Sequence, residues 1–241
     1  MERIKDSIVH YWSHRAPDFA RQRVREFESD KRELWLTEFN RYLPKGKPLR
    51  VLDLGTGTGF FAFLLSAEGH QTTGIDLTEE MIQGAKRTAS ILGLGASFQV
   101  MDAERPEYPP ESFDVLVSRN LTWTLPRLDQ AYQEWYKLLA PGGVLINFDA
   151  DYCRAVEEGE ETELPPEHAH MTVSSDLIAM NENITMELSA YQQPRPQWDV
   201  QLLVEAGFER ICVDLGVARR IYHEIDEFYN PTPIFTVVAY K

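Results

Sequence analysis

The stretch "VLDLGTGTGFF", residues 51–61, decides the fold. An apolar run from Val51 to Leu54 has the composition of a buried strand. It enters a turn holding Gly55, Gly57 and Gly59 and leaves through Phe60 and Phe61 as an apolar helix. Glycine permits left-handed backbone and close approach of a ligand, so such a turn is a cradle for a nucleotide-derived cofactor. Two cofactors use this plan: a dinucleotide such as NAD, and S-adenosylmethionine (SAM).

Outward from this turn the chain alternates between strand and helix patterns. "QTTGID", "ASFQVM", "FDVLVS" and "PGGVLINFD" read as further strands. "FFAFLLSAEG", "LTEEMIQGAKRTASILG" and "RLDQAYQEWYKLLA" read as helices, with Thr78 as an N-cap and Gly69 as a C-terminal stop. This alternation predicts a doubly wound, mostly parallel α/β sheet. Residues 1–45 read as an N-terminal helical cap, broken at Pro17, and residues 46–149 as the cofactor-binding core. Residues 150–196 are polar, acidic and proline-bearing, and read as a lid or substrate-recognition insertion. Residues 197–241 complete the sheet, "RICVDLGV" and "IFTVVAY" pairing antiparallel after the helix "WDVQLLVEAGF".

The acids separate the two cofactors. A dinucleotide fingerprint places its third small residue where this chain has Phe60. Asp53 ends the first strand beside the loop. A pyrophosphate there would meet a like charge, whereas the ammonium and sulfonium of SAM would meet an opposite one. Asp76, at the end of the second strand, is placed to accept from both ribose hydroxyls. Asp102 and Ala103 end the third strand, where an adenine edge would lie, and Leu77 and Met81 offer apolar contact.

Residues 49–149 resemble the class I SAM-dependent methyltransferases. "VLDLGTGTG", "GIDLTEEMI", "MDAERPEYPPESFDVLVSRN" and "LLAPGGVLI" occur in that family's order and spacing. The resemblance implies a seven-stranded sheet with its last strand antiparallel. It also implies SAM contacts at Gly55, Thr56, Gly57, Asp76, Leu77, Asp102, Ala103 and near Asn120, with S-adenosylhomocysteine (SAH) as product. The small-molecule methyltransferases with a helical N-terminal cap are the most similar branch. The fourth strand ends in "SRNLTW", not the Asn-Pro-Pro-aromatic signature of amino- and amide-methylating enzymes. "NPTP" at 230–233 lies too late in the chain for that part.

Three segments supply candidates to line the site. In "HYWSHR", Tyr11 and Trp12 are placed to cover a sulfonium by cation–π contact, and Arg15 to meet a carboxylate. In "RNLTWTL", Asn120, Trp123 and Thr124 follow the fourth strand. In "NFDADY", Asp149 and Asp151 follow the fifth, Asp149 being the candidate base or substrate anchor and Tyr11 a second catalytic candidate. His168 and His170 in "HAH" read as lid residues rather than metal ligands, so no metal is expected.

The formal charge of −14 stands against phosphate-backbone binding, so no nucleic-acid partner is expected. The basic stretch "RQRVREFESDKR" interleaves acids and reads as a solvated helix face. No apolar run is long enough for a membrane span and no leader pattern opens the chain, which predicts a cytoplasmic protein. Cys153 and Cys212, the only cysteines, read as reduced and buried. The expectation is methyl transfer from SAM to a small-molecule acceptor. A protein or RNA methyltransferase, a small NAD-dependent reductase and a non-catalytic SAM-binding regulator are the alternatives.

Overall fold

The structure, a computed structural model, describes residues 2–154, 163–168, 171, 173–188, 190 and 193–241. Five strands, β1 (Arg50–Leu54), β2 (Gln71–Asp76), β3 (Ser97–Val100), β4 (Phe113–Arg119) and β5 (Leu139–Ala150), run parallel. β7 (Ile234–Tyr240) lies antiparallel between β5 and β6 (Arg210–Asp214), giving a seven-stranded sheet in the order β3-β2-β1-β4-β5-β7-β6. The order reverses between β1 and β4. At that switch point the connections diverge and leave a crevice at the carboxyl edge.

Apolar runs on β1, β4 and β5 are buried on both faces, as parallel central strands require. One face packs α2 (Lys31–Phe39) and α3 (Phe60–Ala67) around Trp35, Phe39, Phe61 and Phe148. The other packs α5 (Leu128–Leu138) and α7 (Gln197–Ala206) around Tyr132, Trp135 and Leu203. α4 (Glu79–Leu92) lies beside β2 and β3 and ends at Gly93, in the left-handed region at φ 67°.

Several local readings are corrected by this packing. α1 runs from Glu2 to Glu28 through Pro17, and the break falls at Ser29–Asp30. Proline costs a helix one hydrogen bond and a steric clash, but neighbours buried on both sides hold this helix together. Ile4, Ile8, Tyr11, Arg15, Gln22 and Glu26 form one buried face along α1. The basic stretch is solvated only in part: Arg21, Arg25 and Glu28 are exposed, but Glu26 is fully buried, and Lys31 Nζ donates to Ile221 O and pairs with Asp226 at 2.8 Å. Thr78 takes the N-cap position of α4, but its hydroxyl makes no capping bond. Cys153 is buried, whereas Cys212 is exposed because β6 is the sheet's edge strand.

Within 150–196, α6 (Ser175–Glu187) packs against α1 through Ile184 beside Ile4 and Ile8. Met171 and Met186 are exposed, so neither enters a pocket or core. The acidic run 157–162 and His170 lie outside the described residues. Among the described residues, no helix is long and apolar enough to cross a membrane.

Candidate active site

A cavity of about 630 Å³ opens at the carboxyl edge of the sheet, above the switch point. Its floor is the glycine turn. Gly55 and Gly57 have φ of 62° and 54°, in the left-handed region. A Cβ on Gly55 would strike Leu121 at 2.5 Å. One on Gly57 would meet nothing nearer than Met81 Sδ at 4.0 Å. The Gly57 backbone thus borders open space, which is what a loop that receives a ligand needs.

The carboxylates at the strand ends are held by backbone donors. Asp76 Oδ2 accepts from Gly57 N at 2.9 Å and Oδ1 from Thr78 N at 2.8 Å, tying β2 to the turn and to the start of α4. Burial pushes the Asp76 pKa up, and these two N–H groups work against that rise. Asp102 Oδ1 accepts from Glu104 N, and its Oδ2 pairs with Lys5 Nζ of α1 at 2.5 Å. Lys5, also paired with Glu104, anchors α1 over the β3 end of the cavity.

Asp53 has a second task. Its Oδ2 accepts from Thr56 Oγ1 at 2.6 Å and from Ala62 N at 3.1 Å, so it staples the turn to α3. Burial pushes its pKa from 3.8 up to about 7. Between those values the folded chain binds more protons than the unfolded one. The stability Asp53 contributes is therefore full below about pH 4 and is lost as pH rises through 7. Asp53→Asn should flatten this part of the stability profile. Urea midpoints measured from pH 4 to 8 check it, and an equally steep fall in the variant would refute it.

The cavity brings together Tyr11, Trp12, Asp53, Gly55, Thr56 and Gly57 with Asp76, Leu77, Met81, Asp102, Ala103 and Asn120, as well as Trp123, Thr124 and Asp151. Two candidates lie elsewhere. Asp149 does not border it. The carboxylate is fully buried, accepts from Thr122 Oγ1, Trp123 N and Ala150 N, and faces Arg195 Nη1 at 3.4 Å. Asp149 lies within β5, opposite Phe235 of β7, whereas Asp151 lies just past the strand's end. It cannot reach an acceptor, and Asp151 is the β5-end carboxylate that borders the space. Arg15 is also buried away from the cavity, its guanidinium 5.3 Å from the centre of the Phe19 ring. Tyr11 borders the cavity, and burial pushes its pKa up despite the nearby Arg15 charge.

Other lining residues carry no local signal. Arg23, Arg119, Tyr152 and Tyr222 border the cavity, as does the "NPTP" stretch, whose Asn230 Nδ2 donates to Tyr152 OH at 2.6 Å. β7 runs antiparallel, so the segment before it arrives at the carboxyl edge despite its late position. His168 is buried rather than an exposed lid residue, with Nε2 2.8 Å from Tyr229 O. Among the described residues no cluster of His, Cys, Asp and Glu is arranged to hold a metal.

The cavity's chemistry fits SAM. Acids stand at three strand ends that border the cavity, the Gly57 backbone faces open space, and Asn120 Oδ1 is a buried acceptor with no hydrogen-bond partner among the described residues. The methyltransferase-domain family matches residues 45–207, and the chain belongs to it, among the class I SAM-dependent methyltransferases. Over 167 residues it is 37% identical to phosphoethanolamine N-methyltransferase 3 of Arabidopsis thaliana, covering 68% of this chain and 30% of that one. Demethylmenaquinone methyltransferase of Thermus thermophilus is 36% identical over 101 residues, 41% of this chain and 46% of that one. The chain thus matches less than half the length of either relative. A SAM-dependent methyltransferase from Aquifex aeolicus shares the fold, with TM-score 0.57, 21% identity, and coverage of 89% of this chain and 92% of that one. Haemonchus contortus phosphoethanolamine N-methyltransferase 2, solved with phosphomonomethylethanolamine and SAH, superposes with TM-score 0.59 at 20% identity, over 86% of this chain and 52% of that one.

Proposed function

We propose that this protein transfers the methyl group of SAM to a small-molecule acceptor, releasing SAH. The observation that carries the reading is that one cavity of about 630 Å³ joins the glycine turn to Tyr152, Tyr222 and Phe228, with Tyr11 and Trp12 of α1 also lining it. That volume lies in the range of small-molecule pockets, roughly 300–1,000 Å³. Relatives named for phosphoethanolamine and demethylmenaquinone point to the same class of acceptor.

In this reading Asp76 holds the ribose, Asp102 and Ala103 the adenine edge, and Gly55–Gly57 with Asn120 the methionyl end. Bound SAM supplies an electrophilic methyl group on a sulfonium. The chain's part is to hold the acceptor atom about 3 Å away and in line with the bond that breaks. Aromatic walls exclude water, which favours a reaction that disperses charge. Asp149 acts at one remove: by holding Thr122 and Trp123 it fixes the turn that carries Trp123 against Tyr152, ring centres 5.2 Å apart.

The test is SAH release. Full-length protein incubated with SAM and fractionated small metabolites should release SAH with one fraction and leave a product heavier by one methylene. Turnover only with macromolecular fractions would overturn the small-molecule reading. SAM binding without turnover in any fraction would favour the regulatory alternative.

A further inference from the structure

Two arginines border the cavity beyond the glycine turn. Arg119 is the last residue of β4, and Arg23 reaches in from α1. Both surround Glu26: Arg119 Nη1 lies 2.9 Å from Glu26 Oε1, and Arg23 Nη1 pairs with Oε2. Trp35 Nε1 donates to the same carboxylate at 3.2 Å. One buried carboxylate thus faces two guanidinium groups, and the Arg119 charge also reaches Asp53, whose pKa it works to lower.

Arg119 is held in place from several sides. Its guanidinium lies 4.6 Å from the Trp35 ring centre and 5.2 Å from that of Phe60, and Nη2 donates to Tyr222 OH at 3.0 Å. Burial works against its charge, but Glu26 and Tyr222 more than offset this and raise its pKa, so it stays protonated. Its Nε and Nη1 are shielded and lack a well-formed hydrogen bond among the described residues, so what Arg119 presents to the cavity it borders is chiefly its charge. A guanidinium charge bordering a cavity attracts an anion held there. The planar edge of a guanidinium matches two oxygens of a carboxylate or phosphate.

Position separates this charge from the ribose and adenine residues. Asp76 and Asp102 end β2 and β3, on one side of β1. Arg119 ends β4 on the other side, two strands from β2, or about 10 Å. Tyr152, after β5, and the 230–233 stretch, before β7, continue the wall from Arg119. The other charged pair of this half, Arg154 and Asp151, is mutually compensated at 3.7 Å.

We propose that Arg119, set by Arg23 and Glu26, makes the β4 side of the cavity a receptor for an anionic oxygen group, carboxylate or phosphate, on the methyl acceptor. The proposal rests on the methyltransferase reading. The same oxygens occur on the methionyl carboxylate of the cofactor, and the test separates the two sources.

Full-length protein is first titrated with SAH by calorimetry; absence of SAH binding would sink the methyltransferase reading itself. The SAH-saturated protein is then titrated with inorganic phosphate and with benzoate, the unliganded protein serving as reference. At least one anion should bind the SAH complex. Arg119→Met should weaken that binding about tenfold or more, the loss of a charge-assisted bond, and change SAH affinity less than about threefold. Arg119→Lys, which keeps the charge but loses the fork and Nε, should fall between and serves alone if the Met variant does not fold. Three results would overturn the proposal. Neither anion binds the SAH complex; anion binding is unchanged in both variants; or SAH competes with the anion and itself binds at least tenfold more weakly to the variants, which would assign Arg119 to the cofactor carboxylate.

Discussion

Arg195→Met should lower the stability of the fold by about 3–5 kcal/mol, the cost of leaving buried carboxylates without their cation. Arg195 is fully buried at the side chain. Its Nη2 lies 2.6 Å and its Nε 2.9 Å from the two oxygens of Asp199, and Nη1 lies 3.4 Å from Asp149. Tyr132 OH donates to Asp199 at 2.7 Å, and Asn147 Nδ2 to Thr122 Oγ1 at 3.0 Å, so one guanidinium organises polar groups from β5, α5, α7 and the turn at Thr122–Thr124. Methionine fills similar volume but supplies no charge. Burial already pushes the Asp149 pKa up against the pull of Arg195, and without that pull it rises further. The urea midpoint of the variant should drop sharply at neutral pH and recover partly at acidic pH, where Asp149 takes up a proton. A variant within about 1 kcal/mol of the parent, the scale of an exposed ion pair, would show that the cluster does not hold the turn.

The second large effect is expected on ligand binding. Asp76→Ala should weaken SAH by about five- to more than a hundredfold, or roughly 1–3 kcal/mol. Two losses combine. The ribose loses its acceptors, and Gly57 N and Thr78 N lose the oxygens that now fix the turn against α4. Asp76→Asn keeps one acceptor oxygen and should lie between. Calorimetric titration with SAH, with circular dichroism to confirm the fold, measures both. Unchanged affinity in a folded Ala variant would remove Asp76 from the cofactor site.

The same residues show how far the chain could be read before folding. Asp76, Asp102 and the glycine turn were legible because each stands at or just past the end of a strand. A parallel sheet delivers such positions to one edge whatever the details of packing. Asp149 obeys the same rule in sequence and fails it in space, because it still lies inside the paired part of β5 and is enclosed by Thr122, Trp123 and Arg195, while Asp151 lies past the strand's end. Pro17 misled for a related reason, since local propensity yields to a helix buried on both sides of the proline.

By itself, then, the sequence determined the alternation of strands and helices, the left-handed turn at Gly55 and Gly57, and the row of acids at the strand ends. These depend on periodicity and on backbone freedom, which act over a few residues. Only the tertiary structure decided which charges work together. Lys5 meets Asp102 across 97 positions, Arg119 meets Tyr222 across 103, and Arg195 reaches Thr122 across 73. No local pattern encodes such pairs. They form because burial makes an uncompensated charge costly, and the fold that buries it must also bring it a partner.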